Sequence, residues 1–140
     1  MGKVIIVEGK TDAERLKSIL AEPVTFVLTH GTLDVETLER METAYEGDEV
    51  YVFVDADAAG MRIRRALRAA LPWARHLYTR KMYREIATTP LLHLAEVLLD
   101  AHFAVDLEAV RRSIAPGAPN AAEAMHVVKR LWSKERRKPR

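Results

Sequence analysis

The chain has 140 residues, 49% of them apolar, and 22 Lys and Arg against 20 Asp and Glu give a net charge of +2. That length supports one domain, with room for a small appendage, around a real core. The absence of cysteine excludes disulfides, thiolate metal sites and cysteine nucleophiles. No run of 18 apolar residues occurs, and Met1-Gly2-Lys3-Val4 leads into a strand pattern with no signal-peptide architecture. The expectation is a cytoplasmic protein without membrane association.

Lys3 to Val7 is continuously apolar after its first residue and reads as a strand buried on both faces. Thr11, with Glu14 three residues later, has the form of a capping box opening a helix to about Ala21, with Leu16, Ile19 and Leu20 inward. Pro23 stops it. Val24 to Leu28 is a second strand, Asp34 caps a helix to about Tyr45, and Glu49 to Val54 is a third strand. The next helix starts near Ala58 and stops before Pro72. Ile63, Leu67, Ala70 and Leu71 form its buried stripe, and Arg64, Arg65 and Arg68 fall on another side. His76 to Thr79 is a short fourth strand. Beyond Pro90 the pattern is helical: Leu91 to Phe103, Leu107 to Ile114, and a last helix opened by Asn120 and Glu123 and lined by Met125, Val128, Leu131 and Trp132. Ser133 to Arg140 reads as a frayed basic tail. Strands alternating with helices predict an α/β, Rossmann-like, mostly parallel four-stranded sheet flanked by helices. The expected division is an α/β core over 1–88 and a helical extension over 89–140.

The net charge conceals an asymmetry. Residues 1–60 carry 5 Lys and Arg against 13 Asp and Glu, whereas residues 61–140 carry 17 against 7. An acidic, metal-binding half joined to a basic half suits a polyanion such as nucleic acid; solvated helix faces explain the same balance.

Two acidic turns concentrate the chemistry. Val4-Ile5-Ile6-Val7 runs into Glu8-Gly9-Lys10-Thr11-Asp12, and Val50-Tyr51-Val52-Phe53-Val54 runs into Asp55-Ala56-Asp57-Ala58-Ala59-Gly60. Carboxylates at the carboxyl ends of parallel strands stand where open α/β sheets place ligands. Glu8, Asp55 and Asp57 together make a hard-oxygen set for a divalent cation, Mg²⁺ or Mn²⁺, which relieves their mutual repulsion. A glycine turn at a helix N-terminus adds an anion site at Gly9, with Lys10 as a neutralising charge. His30, in the loop after the second strand, lies on the same edge, and Arg62 and Arg65 follow the second turn. A solvated helix face explains the two arginines equally well, and a loop histidine with no partner in view is more often structural. Tyr51, Tyr78 and Tyr83 read as packing residues, and the remaining histidines show no metal spacing.

Glu8-Gly9-Lys10-x-Asp12 followed by Asp55-x-Asp57-x-x-Gly60, each after a hydrophobic strand, resembles the Toprim domain over Val4 to about Thr79. That domain is shared by topoisomerases, bacterial primases, recombination-mediator proteins and ribosomal RNA maturation nucleases. The whole chain, with Tyr83-Arg84-Glu85 and Pro90-Leu91-Leu92-His93-Leu94, is most similar to the stand-alone small Toprim proteins of bacteria. The resemblance implies Glu8 as general acid or base, Asp55 and Asp57 as Mg²⁺ ligands, Asp12 as a supporting acid and Gly60 as part of the motif. Ala59 stands where type II topoisomerases have a third acid, and Met61 where type IA topoisomerases and maturation nucleases have a glutamate; Glu85 is the nearest substitute. The resemblance implies a Mg²⁺-dependent protein acting on nucleic-acid phosphodiesters, nuclease-like. The alternatives are a nucleic-acid-binding scaffold without turnover, or a subunit whose site is completed in a homodimer or with a protein partner.

Overall fold

The computed structural model describes residues 2–30, 33–80 and 82–136, Arg136 by its backbone alone. Strands β1 (Lys3–Val7), β2 (Thr25–Leu28), β3 (Glu49–Phe53) and β4 (Arg75–Leu77) form one sheet in the order β2-β1-β3-β4, every neighbouring pair parallel. Helices α1 (Lys10–Lys17), α2 (Val35–Ala44) and α3 (Ala58–Ala70) make the crossovers. A 3-10 turn at Ile86–Thr88 leads to α4 (Leu91–Asp100), α5 (Leu107–Arg112) and α6 (Ala121–Arg136).

Strand alternation divides the core in two. Ile5, Val7, Tyr51, Phe53 and Leu77 pack with Leu16 of α1 and with Leu94, Leu98, Val110 and Val128 of the later helices. Val4, Ile6, Val50, Val52 and Val54 pack against Met41 of α2 and Ile63, Leu67 and Leu71 around α3. This two-sided burial is why β1 and β3 are apolar at every position after the first rather than at every second one. A fully buried side chain such as Ile5 or Ile6 contributes roughly 2 kcal/mol. Tyr51 is a packing residue, its ring edge-on to Phe103 at 4.6 Å.

Several local expectations shift. α1 starts at Lys10 with Gly9 as an extended N-cap and no side-chain cap, so the Thr11–Glu14 box does not form. Asp12 replaces it: its carboxylate is acted on by the Gly9 N–H, one turn back. Asp34 caps α2 as expected, accepting from the Thr37 N–H at 2.7 Å. Asn120 takes a left-handed φ of +67° rather than the extended conformation of an N-cap. α6 continues as helix to Arg136, where a frayed tail was expected; Arg137 to Arg140 lie outside the described residues. Ala124, Val127, Val128 and Leu131 make the buried side of α6, while Trp132 is exposed. β4 occupies Arg75–Leu77, one residue earlier than expected, so Tyr78 has already left the ladder. No described helix is long and apolar enough to cross a membrane.

The chain goes from β1 outward to β2, then crosses back to β3 on the other side of β1. The direction of winding therefore reverses between β1 and β3, and the crevice beyond their carboxyl ends is the place for a ligand in such a sheet.

Candidate functional site

Both acidic turns open at this crevice. Ile6 pairs with Val52, which sets Glu8 level with Val54, one residue before Asp55. The two turns are tied together directly: the Asp55 N–H donates to Glu8 Oε1 at 2.8 Å. Asp55 Oδ1 in turn accepts from the Ile86 N–H at 2.9 Å, and the Ala56 N–H donates to the Arg84 carbonyl at 2.7 Å. The segment before the 3-10 turn thus closes over the second acidic turn. Asp57 is the N-cap of α3, its Oδ1 accepting from the Gly60 N–H at 2.7 Å. Each of the three carboxylates is oriented through one oxygen by a backbone N–H, which leaves the other oxygen of each for a ligand.

The carboxylates feel one another. Partial burial raises Glu8 above the usual glutamate range; the Asp55 N–H opposes this, and the charges of Asp55, Asp57 and Asp12 add to it. Asp55 is raised by burial and by Asp57 and Glu85, against the Ile86 N–H. Asp12 is raised by burial and by Asp55 and Glu85, against the Gly9 N–H and Arg15. Glu85, itself exposed, is thus close enough to act electrostatically on both aspartates. Among the described residues no three acidic or imidazole groups converge into a ready-made cage. The donor set nevertheless fits Mg²⁺. It consists of hard oxygens whose charges repel, and Mg²⁺ uses one or two carboxylates and completes its shell with water and phosphate oxygens.

The remaining predicted positions differ in character. A Cβ on Gly9 meets nothing within 4 Å, so the approach to the α1 N-terminus is open. Lys10 is 85% exposed and lies 3.8 Å from Glu14, a solvated pair worth little. The His30 N–H donates to the Glu8 carbonyl at 2.8 Å, and His30 holds a φ of +54°; its side chain is exposed at the same rim. Gly31 and Thr32 of that loop, and Lys81, lie outside the described residues. Arg62 and Arg65 are exposed on α3.

Gly60 has a steric reason to be glycine. A Cβ there lies 1.9 Å from the Asp55 carbonyl oxygen and 3.3 Å from Asp57 Oδ1. The first turn of α3 packs directly on the acidic turn, which only a residue without a side chain permits. Gly60→Ala is expected to push Asp55 out of place and to lose at least ~2 kcal/mol of stability. Chemical denaturation of the purified variant checks it.

Arg64 departs most from expectation. It is not on a solvated helix face but 1% exposed, within the buried stripe. Its Nη2 donates to the carbonyls of Val54 at 3.1 Å and Leu77 at 2.6 Å, and its Nη1 lies 3.1 Å from His76 Nδ1. Arg64 therefore joins the ends of β3 and β4 immediately before Asp55. Gly60, Arg64, Leu67 and Leu71 follow the 4-3-4 spacing of an inward face, which is the signal in the sequence; its charge obscured it. The Ile86 N–H contact to Asp55 had no comparable signal.

Residues 3–86 match the Toprim domain, well over half of the chain. The chain belongs to the Toprim domain family. The uncharacterized protein YusF of Bacillus subtilis is 40% identical over 74% of this chain and 70% of its own length. A solved small Toprim domain protein from Bacillus stearothermophilus superposes with a TM-score of 0.76 at 45% identity, covering 79% of this chain and 93% of that one. Ribonuclease M5 of Mycoplasma mycoides is 41% identical over 46% of this chain, but over only 37% of its own length. The match to ribonuclease M5 1 of Ligilactobacillus salivarius covers 42% of that protein. The chain thus spans about two fifths of the ribonuclease M5 relatives it matches. The expected Toprim fold, with an all-parallel four-stranded sheet between helices, is the one observed.

Proposed function

We propose that this Toprim protein is a Mg²⁺-dependent nuclease acting on nucleic-acid phosphodiesters, with RNA as its first substrate. The observation that carries the reading is the bond from the Asp55 N–H to Glu8 Oε1, which locks the two Toprim acidic turns into one electrostatically coupled group. Similarity to proteins named ribonuclease M5 supports RNA.

In this reading Asp55 and Asp57, with Glu8 bonded to the Asp55 N–H beside them, would hold Mg²⁺. When bound, the ion neutralises the carboxylates and the phosphate that faces them. Glu8 moves the proton. Its carboxyl, raised by burial and by the neighbouring acids, takes a proton from the attacking water or returns one to the departing oxygen as the P–O bond breaks. Gly9 and the uncapped start of α1, with Lys10, His30, Arg62 and Arg65, orient the sugar–phosphate backbone around the site. Asp12 and Glu85 sustain the negative potential that favours the cation.

A scaffold that binds nucleic acid without turnover is the second reading, favoured by Ala59 and Met61 at positions where other Toprim enzymes carry acids. One experiment separates the two. Purified protein is incubated with structured RNA and single-stranded DNA in Mg²⁺ or Mn²⁺. The nuclease reading expects metal-dependent cleavage that Asp55→Ala reduces by about 100-fold or more, in line with the loss of a catalytic group. Cleavage unchanged in Asp55→Ala, or tight binding with no product under either metal, sinks it.

A further inference from the structure

We propose that Tyr78 is a stacking platform for an unpaired base of single-stranded nucleic acid, placed beside the acidic turns and held in position by Arg64 and Arg68. The inference deepens the nucleic-acid reading above and rests on it.

Tyr78 is the first residue past β4 and is 50% exposed. An exposed tyrosine alone would carry nothing; this one is fixed from behind. The guanidinium carbon of buried Arg64 lies 4.0 Å from the ring centroid, a cation–π stack that covers the inner face. Its hydroxyl accepts from Arg68 Nη2 at 2.6 Å. The His76 ring stands at 6.5 Å and 28° from it. Ring plane and tip are both set before any ligand arrives, so little side-chain freedom remains to be lost on binding.

The location fits a strand of nucleic acid threaded over the acids. The Arg64 side chain that backs Tyr78 also holds the Val54 carbonyl, one residue before Asp55. Glu8 and Tyr78 project past the ends of β1 and β4, with β3 between them. Two strand spacings amount to about 10 Å, a reach that puts a nucleotide flanking the bound phosphate over the ring. Arg62 and Arg65 on the adjoining α3 are exposed and supply charge for its backbone. Aromatic rings accept any base, so the platform selects for single strands and loops rather than for sequence; a base within a duplex offers it no face.

The probe is a short single-stranded RNA with 2-aminopurine placed at each position in turn, and its duplex as the comparison. With wild-type protein in Mg²⁺, one or two positions are expected to be quenched by stacking, in the single strand only. Tyr78→Leu should lose that quenching and about ten-fold in affinity. Its salt dependence should be unchanged, because no phosphate contact is removed. Tyr78→Phe, which loses only the bond from Arg68, should retain the quenching. In a Trp73→Phe, Trp132→Phe background, Tyr78→Trp should show emission quenched by unlabelled RNA, a readout independent of how well the leucine variant folds. Wild-type-like binding and quenching by Tyr78→Leu, or Trp emission indifferent to bound RNA, overturns the platform and leaves the nucleic-acid reading standing. Failure of the wild type to bind either RNA form overturns both.

Discussion

Glu8→Gln is expected to slow metal-dependent cleavage by about 10²- to 10⁴-fold, the usual contribution of a positioned acid or base. The same substitution should raise the midpoint of thermal unfolding measured in EDTA. The reason is the sign of the carboxyl shifts. Glu8, Asp12 and Asp55 are all raised, first by burial and then by one another, so the folded metal-free chain holds protons more tightly than the unfolded chain. Their stabilising contribution is complete below the ordinary carboxylate range and is lost as pH rises through the raised values. At neutral pH the site is a strained cluster of negative charge, and glutamine removes one charge while its carbonyl oxygen still accepts from the Asp55 N–H. Mg²⁺ should do the reverse. At one hundred times its dissociation constant it adds about 2.7 kcal/mol to the wild type, and much less to Glu8→Gln at the same concentration. Scanning calorimetry with and without Mg²⁺, paired with a cleavage assay, tests the set. A variant that is less stable in EDTA, or as active as the wild type, contradicts the assignment of Glu8.

The trade between stability and charge is visible in the sequence because its parts are local. Buried parallel strands announce themselves by unbroken apolar runs, and β1 and β3 fall within one residue of where Val4–Val7 and Val50–Val54 indicate. A strand that ends on Glu8 or just before Asp55 then fixes where the carboxylates emerge. Capping was less legible: Thr11 and Glu14 have the capping pattern, but Asp12 reaches back to Gly9 and the helix begins two residues sooner. The least legible contacts were non-local. That the Ile86 N–H would orient Asp55 depends on how residues 82–88 return over the sheet, which no periodicity encodes. Arg64 shows the same limit from another side. The stripe of Ile63, Leu67, Ala70 and Leu71 set it on another side and its charge argued outward, whereas the carbonyl ends of β3 and β4 supply the partners that hold it inward. Tyr78 follows from Arg64: with the guanidinium beneath it, the ring is neither buried as packing nor loose in solvent.

Arg64→Met is expected to be the most destabilising single change near the site. Methionine fills much of the arginine volume, yet it leaves the Val54 and Leu77 carbonyls without the donor that bridges them. Hydrogen bonds from a charged donor to buried acceptors are worth about 1.5–3 kcal/mol each, so a loss of about 3 kcal/mol is expected, or roughly 10 °C in the thermal midpoint. Arg64→Lys should recover little, since a single ammonium cannot reproduce the planar fork that meets two carbonyls and a ring face together. His76 gives the discriminating readout. Burial, and then the charges of Arg64 and Arg68, hold its imidazole down at about 4, so it stays neutral and accepts from Arg64 at Nδ1. With the folded value depressed, the unfolded chain takes the proton first, and stability falls as pH drops from about 6.5 to about 4. Removing the Arg64 charge should move the His76 titration upward and narrow that window, a change followed by NMR of the imidazole protons. Because the Val54 carbonyl precedes Asp55, the variant should also bind Mg²⁺ more weakly even where it remains folded. Intact Mg²⁺ affinity with lowered stability would confine Arg64 to holding the sheet together. Loss of both, with the histidine shift, ties the end of the sheet to the geometry of the acidic turn.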